Sequence, residues 1–264
     1  MKICVTGDVH QQSYRGTDTP FSSHSEVVLA LKYAHIARKY GLRITLFLTG
    51  RAALEEPERV RQLVAMPNCE IGGHTFAAFR DPWSRIYKKV LGTPWGSIAH
   101  QSQDILRTIQ GIQQVTGRRI ATWRNHSYVN TPDTPGLLEQ AGISWVSDEV
   151  NTAKLAPEQV KSCLYSLPIN VLPDHEYLFH GKYMTGKAKA SQLSGRLFIG
   201  EWRETVQEQI RAINASGGVA TILAHPLCME VADGMKEFEA LCRYLQPFPS
   251  CWVSTSALGG EIDG

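Results

Sequence analysis

Short apolar runs that alternate with amphipathic segments constrain the fold of this 264-residue chain more than any other feature. The β-branched run Ile3–Val5 ends at a Thr-Gly-Asp turn, and Arg43–Leu48 (RITLFL) has the composition of a buried strand. Between them, Glu26–Tyr40 has apolar residues at helical spacing, and Gly41 follows as a stop signal. Strands that alternate with helices in this way predict a parallel sheet covered by helices.

The rest of the chain continues the alternation. The further predicted strands are Glu70–Gly72, Ile120–Trp123, Ile143–Val146, Gly218–Leu223 and Ser250–Ser254, and the further predicted helices are Pro57–Val64, Ser102–Thr116, Asp133–Gln140, Thr205–Ala215 and Met235–Leu245. About seven strands with helices between them favour an α/β fold of the closed or nearly closed barrel type. We interpret residues 1–264 as a single domain, in which 151–200 form an irregular insertion.

Composition excludes several classes of protein. The net charge of +2 without a block of Lys or Arg argues against nucleic acid or an anionic membrane as partner. No apolar run approaches the roughly 18 residues of a membrane span. The start, MKICVTGDVHQQ, lacks the apolar core of a secretory signal, so we expect a cytoplasmic protein whose six scattered cysteines are reduced.

Ionisable side chains follow four of the predicted strands. Together they supply a carboxylate, a guanidinium and four imidazoles: Asp8, His10, His74, Arg124, His126 and His225. In barrels of parallel strands, chemistry collects on the loops after the carboxyl ends of the strands. We therefore expect these side chains to meet at one rim of the barrel.

The order of these motifs resembles one family. Asp-x-His is followed by Gly-His-Thr, then by a helix ending in Thr-Gly-Arg-Arg before Trp-Arg-x-His, and finally by Leu-x-His-Pro. This order is similar to that of the NodB-homology polysaccharide deacetylases. The stretch QDILRTIQGIQQVTGRRIATWRNHSY resembles the most recognisable segment of that family, and the resemblance extends over about residues 2–258.

The resemblance implies a distorted (β/α)7-type barrel, NodB-like, and metal-assisted hydrolysis of an amide. Carried over residue by residue, it makes Asp8 the catalytic base and Arg124 the arginine that positions the base. It makes His225 the general acid and His74 the first histidine of the metal motif.

Two positions depart from the family pattern. Val9 stands where the family has a second aspartate, and Ala78 stands where it has a second metal histidine. We expect His10 to take over from the missing aspartate. His126, at a position where the family normally has proline, is a candidate for the remaining ligand, and so are two histidines of the segment PDHEYLFHGK, His175 and His180.

Metal chemistry also follows from the residue types themselves. Catalytic zinc sites use three protein ligands, drawn from imidazole nitrogen and carboxylate oxygen, and keep one position for water. Asp8, His10 and His74 would satisfy this count, and so would His10, His74 and one further histidine. We expect a divalent metal, with Zn²⁺ first and Ni²⁺, Co²⁺ or Mn²⁺ as alternatives.

Other residues are candidates for contacts with the substrate. The segment around Asp174, His175 and His180 resembles a long loop at the mouth of a barrel, which is often functional. Trp123 offers a ring for sugar stacking. Asp148, after the predicted strand Ile143–Val146, is placed to orient a rim histidine or arginine.

The leading hypothesis is a metal-dependent hydrolase that removes an acyl group from an amino sugar or a related glycoconjugate. One alternative is a metal-independent hydrolase of cyclic amides or ureides on the same fold, which the missing second histidine favours. Another is a catalytically silent carbohydrate-binding protein. The expected partner is a small-molecule or glycan substrate, and a homo-oligomer built through the outer helices is compatible with the sequence.

Overall fold

One curled sheet organises the part of the chain that the computed structural model describes, residues 1–16, 19–175 and 198–257. Its strands are Lys2–Val9 (β1), Ile44–Leu48 (β2), Cys69–Gly73 (β3), Thr122–Trp123 (β4), Trp145–Val146 (β5), Glu158–Lys161 (β6), Leu164–Ser166 (β7), Val219–Leu223 (β8) and Ser250–Cys251 (β9). The spatial order is β6-β7-β5-β4-β3-β2-β1-β8, and β9 pairs with β1. All pairs are parallel except β6 with β7, so the carboxyl ends of β1 to β5 and β8 share one rim.

Helices follow most of the strands. They are Glu26–Lys39 (α1), Gly50–Glu55 (α2), Pro57–Ala65 (α3), Pro82–Leu91 (α4), Ile98–Thr116 (α5), Thr134–Gln140 (α6), Ile199–Ser216 (α7), Pro226–Asp233 (α8) and Lys236–Leu245 (α9). Side-chain oxygens of Ser25, Thr49, Asp81 and Ser97 cap the amino ends of α1, α2, α4 and α5. None of the described helices combines the length and apolar character needed to cross a bilayer.

The sheet is a half-barrel, and side chains complete it where strand pairing stops. The segment after β7 does not form a regular strand beside β8. The side chain of the buried Asn170 connects this segment to β8 instead. Its Nδ2 donates to the Val219 carbonyl (2.8 Å), and its Oδ1 accepts from the Thr221 amide (2.9 Å). The predicted NodB-like distorted barrel is thereby confirmed, in the form of an open, curled sheet.

Several predicted boundaries change, and five elements escaped prediction. β1 continues from Lys2 to Val9, so Asp8 lies within the strand and not after it. The elements missed are α2, α4, α8, β6 and β7. β6 is exposed along its whole length and has no apolar pattern, whereas α4 has apolar residues at helical spacing but buries little besides Ser84. No disulfide is present among the described residues, as expected.

Candidate active site and metal centre

A cavity of about 190 Å³ opens at the carboxyl rim of the sheet. β1 leads into it at Asp8 and His10, β3 at His74, β4 at His126 and β8 at His225. Because these strands are parallel, their carboxyl ends bring together residues more than 200 positions apart in the sequence. Five of the six side chains expected at one rim therefore line a single pocket, and Arg124 lies buried behind Asp8.

Three imidazoles converge on one side of this pocket. We call His10, His74 and His126 the histidine triad. His126 Nδ1 lies 3.0 Å from His10 Nε2 and 3.3 Å from His74 Nε2, and one nitrogen from each ring falls within 4.8 Å of the others. Nitrogens about 2.0–2.1 Å from a tetrahedral zinc ion lie about 3.3 Å from one another. The spacing of the triad thus matches that of imidazoles that share an ion.

The outer nitrogens of two rings are held by acceptors. His74 Nδ1 donates to the Arg124 carbonyl (2.9 Å), and His10 Nδ1 donates to Glu26 Oε2 (2.8 Å). A carbonyl or carboxylate oxygen only accepts, so Nδ1 of each ring carries a hydrogen and Nε2 is the nitrogen that faces the pocket. Such outer partners fix the tautomer and orientation of metal-binding histidines in known sites.

The histidine triad lacks hydrogens for its own contacts. Burial lowers the pKa of His74 to about 4 and holds the pKa of His126 well below its usual range, so both rings are neutral near pH 7. His126 Nδ1 has a single hydrogen or a single lone pair to offer, so it cannot form a full hydrogen bond to both His10 Nε2 and the lone pair of His74 Nε2. A cation between the three nitrogens would remove this conflict. Ligand type, number and spacing therefore fit a divalent metal.

Unusual backbone conformations accompany the triad. Thr75 and Ser127, each directly after a triad histidine, have positive φ values of 62° and 54°. Ala78, where the family has its second metal histidine, also has a positive φ (50°) and is buried. Left-handed conformations in residues other than glycine cost energy and cluster at functional sites. The third imidazole of the triad comes from His126, and Ala78 has no side-chain atom that could bind a metal.

Asp8 occupies the opposite side of the pocket. Its Oδ1 accepts from Arg124 Nη1 (3.0 Å), and its Oδ2 lies 3.7 Å from His74 Nε2 and 3.5 Å from His225 Nε2. Burial opposes ionisation of Asp8, but the neighbouring positive groups outweigh it and hold the pKa of Asp8 well below its usual range. Because His74 is neutral at pH 7, the guanidinium of Arg124 is the main standing charge. Asp8 is therefore ionised, with Oδ2 turned to the pocket.

Arg124 is itself fixed from several directions. It is fully buried and donates to Thr6 Oγ1 (3.1 Å), to the Ser147 carbonyl (2.7 Å) and to Ser147 Oγ (2.9 Å). Its guanidinium also lies 4.4 Å from the centre of the Phe47 ring. These contacts leave it one orientation, in which it binds the Asp8 carboxylate.

His225 is held in the protonated form. Asp174 is fully buried; its Oδ1 accepts from His225 Nδ1 (2.6 Å), and its Oδ2 accepts from the His225 amide (2.6 Å). Burial alone would lower the pKa of His225, but the charge and hydrogen bond of Asp174, with a further contribution from Asp8, raise it well above its usual range. The remaining hydrogen of His225, on Nε2, points toward Asp8 and the pocket.

The expected substrate-binding residues require corrections. Trp123 is fully buried, its Nε1 donates to Asn125 Oδ1 (2.9 Å), and its ring packs on Gly73, so it offers no surface for a sugar. Asp148 accepts from the Asn125 amide (2.6 Å) behind the pocket wall, and burial raises its pKa to about 6. Asp174 acts on His225 and has no exposed surface of its own.

The remaining candidates fall near or beyond the edge of the site. His175 lines the cavity, and its Nδ1 lies 3.4 Å from Cys228 Sγ, away from the histidine triad. His180 lies outside the described residues. Sequence reasoning missed Glu26, which resembles an ordinary acidic residue in a first helical turn, and Tyr14, whose ring stacks on His10 at 4.4 Å between centroids.

Comparisons with known proteins agree with this picture. Residues 28–145 match the family model described as polysaccharide deacetylase. Structures assigned as polysaccharide deacetylases from Mycobacterium smegmatis and Pseudomonas aeruginosa PAO1 match with TM-scores of 0.72 and 0.67, at 15% and 14% identity. These matches cover 96% and 95% of this chain, and 86% and 87% of the other chains.

A third solved structure, Puue allantoinase, matches with a TM-score of 0.63 at 13% identity and covers 95% of this chain and 86% of that one. At such identities the structural likeness shows a shared fold. No curated protein matches the chain significantly in sequence.

Proposed function

We propose that this chain, which matches the polysaccharide deacetylase family model over residues 28–145 and shares its fold with solved structures assigned to that family, deacylates an amino sugar or related glycoconjugate with a divalent metal held by the histidine triad. One observation carries the proposal: an ionised Asp8 and a protonated His225 lie beside three imidazoles whose inner nitrogens converge.

The histidine triad would hold the metal, with Zn²⁺ as the first expectation because three imidazole ligands suit it. When bound, such an ion supplies Lewis acidity, which favours attack of water on an amide carbonyl. Asp8 Oδ2 lies 3.7 Å from His74 Nε2 and 3.5 Å from His225 Nε2. Asp8 and His225 thus face the position where water and amide would react.

Asp8 is placed to act as the general base. Its Oδ2 accepts a proton from the attacking water, while Arg124 holds Oδ1 and fixes the plane of the carboxylate. Its low pKa keeps it ionised, so the base is available over a wide pH range. Base assistance of this kind typically contributes about 10²–10⁴-fold to the rate.

His225 is placed to act as the general acid. Water adds to the carbonyl carbon, the carbon–nitrogen bond breaks, and the leaving nitrogen takes the proton from His225 Nε2, because an amine anion is a very poor leaving group. The products are a carboxylic acid and a free amine. Asp174 keeps His225 protonated until this step and points Nε2 at the reacting groups.

The size of the cavity favours a small acyl group. About 190 Å³ is less than the roughly 300–1,000 Å³ of sites that enclose a drug-sized ligand. We therefore propose that an acetyl group and part of one sugar ring enter the pocket, with the rest of the substrate outside. Acetylated amino sugars are the first substrates to test.

A cyclic amide or ureide is the second candidate substrate. The fold matches that of Puue allantoinase, and Ala78 removes one ligand of the usual metal set. This alternative predicts turnover without metal and resistance to chelators. Elemental analysis therefore separates it from deacetylation.

The decisive experiment measures metal content and activity together. We expect tag-free wild-type protein to contain near-stoichiometric metal by elemental mass spectrometry, and His74→Ala to lose it. His35→Ala, which removes an exposed histidine of α1, is the matched control and should retain the metal. Metal-free wild-type protein that still hydrolyses an amide after treatment with chelator would refute the metal-dependent proposal.

Asp8→Asn separates the enzyme from a silent binding protein. The variant retains an oxygen for Arg124 but loses the base, so we expect turnover of N-acetyl sugars to fall by at least about 10³-fold. Ligand binding, measured by calorimetry, should persist. Wild-type protein that binds an amino sugar without hydrolysing any amide in the screen would favour the silent alternative.

A further inference from the structure

A second cavity adjoins the active site. We call it the basic groove, and it is defined by Arg80, Arg85 and Lys88 with a volume of about 490 Å³. Tyr14, His126 and Ser127 line both this groove and the active-site cavity. A ligand with one end at the histidine triad can therefore reach the groove with its other end.

The positive charges of the groove are not compensated. Among the described residues, no carboxylate lines the groove, and none of Arg80, Arg85 and Lys88 forms an ion pair with one. The nearest acidic residue in sequence, Asp81, accepts from the Ser84 amide (2.9 Å) as the cap of α4. Arg80 instead lies over the Tyr14 ring, 5.0 Å from its centre.

We propose that the basic groove binds a phosphoryl group carried by the amide substrate, an inference that rests on the proposed function. Two guanidinium groups and one ammonium group match a dianion, and the planar fork of arginine suits paired phosphate oxygens. The groove sits beside His126, so the phosphoryl group and the scissile amide occupy opposite ends of one substrate. The substrate class is then a phosphorylated N-acyl amino sugar.

Such a phosphoryl group has two sources, a soluble sugar phosphate or a lipid-linked one. Helix α4 provides a means to distinguish them. Trp83, Ile86 and Val90 are spaced along one face of this helix and are 61%, 48% and 72% exposed. An apolar face with basic neighbours on the same helix is typical of helices that lie on membrane surfaces. A lipid-linked substrate would engage this face as well as the groove.

The first test measures binding without turnover. The probe is glucose 1-phosphate, which has no amide, with glucose as the uncharged reference. We expect Arg85→Gln/Lys88→Gln to raise the Kd for glucose 1-phosphate at least tenfold. Lys89→Gln is the matched control, because Lys89 lies on the same helix but does not line the groove, and it should change the Kd less than twofold. Equal affinity in both variants overturns the proposal.

The second test measures selectivity. In wild-type protein we expect kcat/KM for N-acetylglucosamine 1-phosphate to exceed that for N-acetylglucosamine, and the double variant should reduce this ratio at least tenfold. If wild-type protein hydrolyses neither compound, the proposed function fails for these substrates, while the Kd values still decide whether the groove binds a phosphoryl group.

The third test identifies the source. Vesicles of phosphatidylcholine with and without phosphatidic acid are sedimented with wild-type protein, with the double groove variant and with Trp83→Ser/Val90→Ser. Loss of binding to acidic vesicles in both variants supports a lipid-linked phosphate. Binding of glucose 1-phosphate without vesicle binding supports a soluble substrate. Failure of wild-type protein to bind either probe overturns the proposal.

Discussion

The histidines on the two sides of the pocket differ in protonation although both sides border the same aspartate. His74 and His126 are neutral near pH 7, because burial lowers their pKa values and no carboxylate accepts a hydrogen bond from either ring. His225 is equally buried, but the carboxylate of Asp174 receives two of its hydrogen bonds and raises its pKa well above the usual range.

For His74 and His225, the difference follows from the group behind each ring. A backbone carbonyl behind His74 fixes the tautomer without adding charge, which leaves a lone pair for a cation. An anion behind His225 stabilises imidazolium, which leaves a proton to donate. Asp8 lies between the two sides, 3.7 Å from His74 Nε2 and 3.5 Å from His225 Nε2, where base, acid and metal ligands must meet for hydrolysis.

Asp174→Asn tests the acid side and should have the largest effect among the variants that test this comparison. Without the carboxylate, burial governs His225 and its pKa falls below neutrality. A general acid must be protonated, so the alkaline limb of the kcat/KM profile should move to lower pH, and activity at pH 8 should fall by about 10²-fold. The measurement is a pH–rate profile from pH 5 to pH 9.

The control for this prediction is Asp133→Asn, which changes an exposed carboxylate at the start of α6. It should leave the profile unchanged. If Asp174→Asn lowers activity by the same factor at every pH, Asp174 supports the structure of the loop and does not set the protonation of His225.

Glu26→Gln tests the triad side, with a smaller expected effect. Glu26 Oε2 accepts from both the amide and Nδ1 of His10 (2.9 and 2.8 Å), so it orients the ring from behind. Loss of such a partner typically costs about 10–100-fold in metal affinity. Competition with a chelator of known affinity measures the change. Glu58→Gln, on the exposed surface of α3, is the control, and equal affinity in both variants would exclude His10 as a ligand.

The sequence predicted the site well where ionisable residues stand at the carboxyl ends of strands. Asp8, His74 and His225 could be placed at one rim because they lie at the carboxyl ends of recognisable parallel strands, and His126 could replace the histidine missing at Ala78 because it follows a fourth. Periodicity does not reveal partners from distant elements. The pairing of Glu26 with His10 depends on how α1 packs after β1.

The burial of polar and aromatic residues also limited what could be predicted from the sequence. Trp123 follows the apolar pattern of a strand and also has the composition of a sugar platform, and only its packing on Gly73 decides between the two. Helix α4 has apolar residues at helical spacing, but the fold leaves them exposed. Local patterns record which residues are apolar but not which of them the tertiary fold covers.

Asp104 is a carboxylate whose protonation is also set by burial, but it has no histidine partner. Its substitution should have the smallest of the predicted effects. It accepts from the Phe76 amide (3.0 and 3.1 Å), and burial raises its pKa to about 7, whereas an unfolded chain gives about 3.9. The folded state therefore binds more protons between about pH 4 and pH 7, and wild-type stability loses this contribution as pH rises through 7.

Asp104→Asn keeps an acceptor for Phe76 without the charge. We expect its free energy of unfolding in urea to exceed that of wild type by about 1–2 kcal/mol at pH 8, less than the full 1.4 kcal/mol per pKa unit because the side chain is partly exposed. The difference should shrink as pH falls from 7 and vanish below about pH 4, where Asp104 is protonated in both the folded and the unfolded state. A difference of the same size at pH 8 and below pH 4 would contradict this account of Asp104.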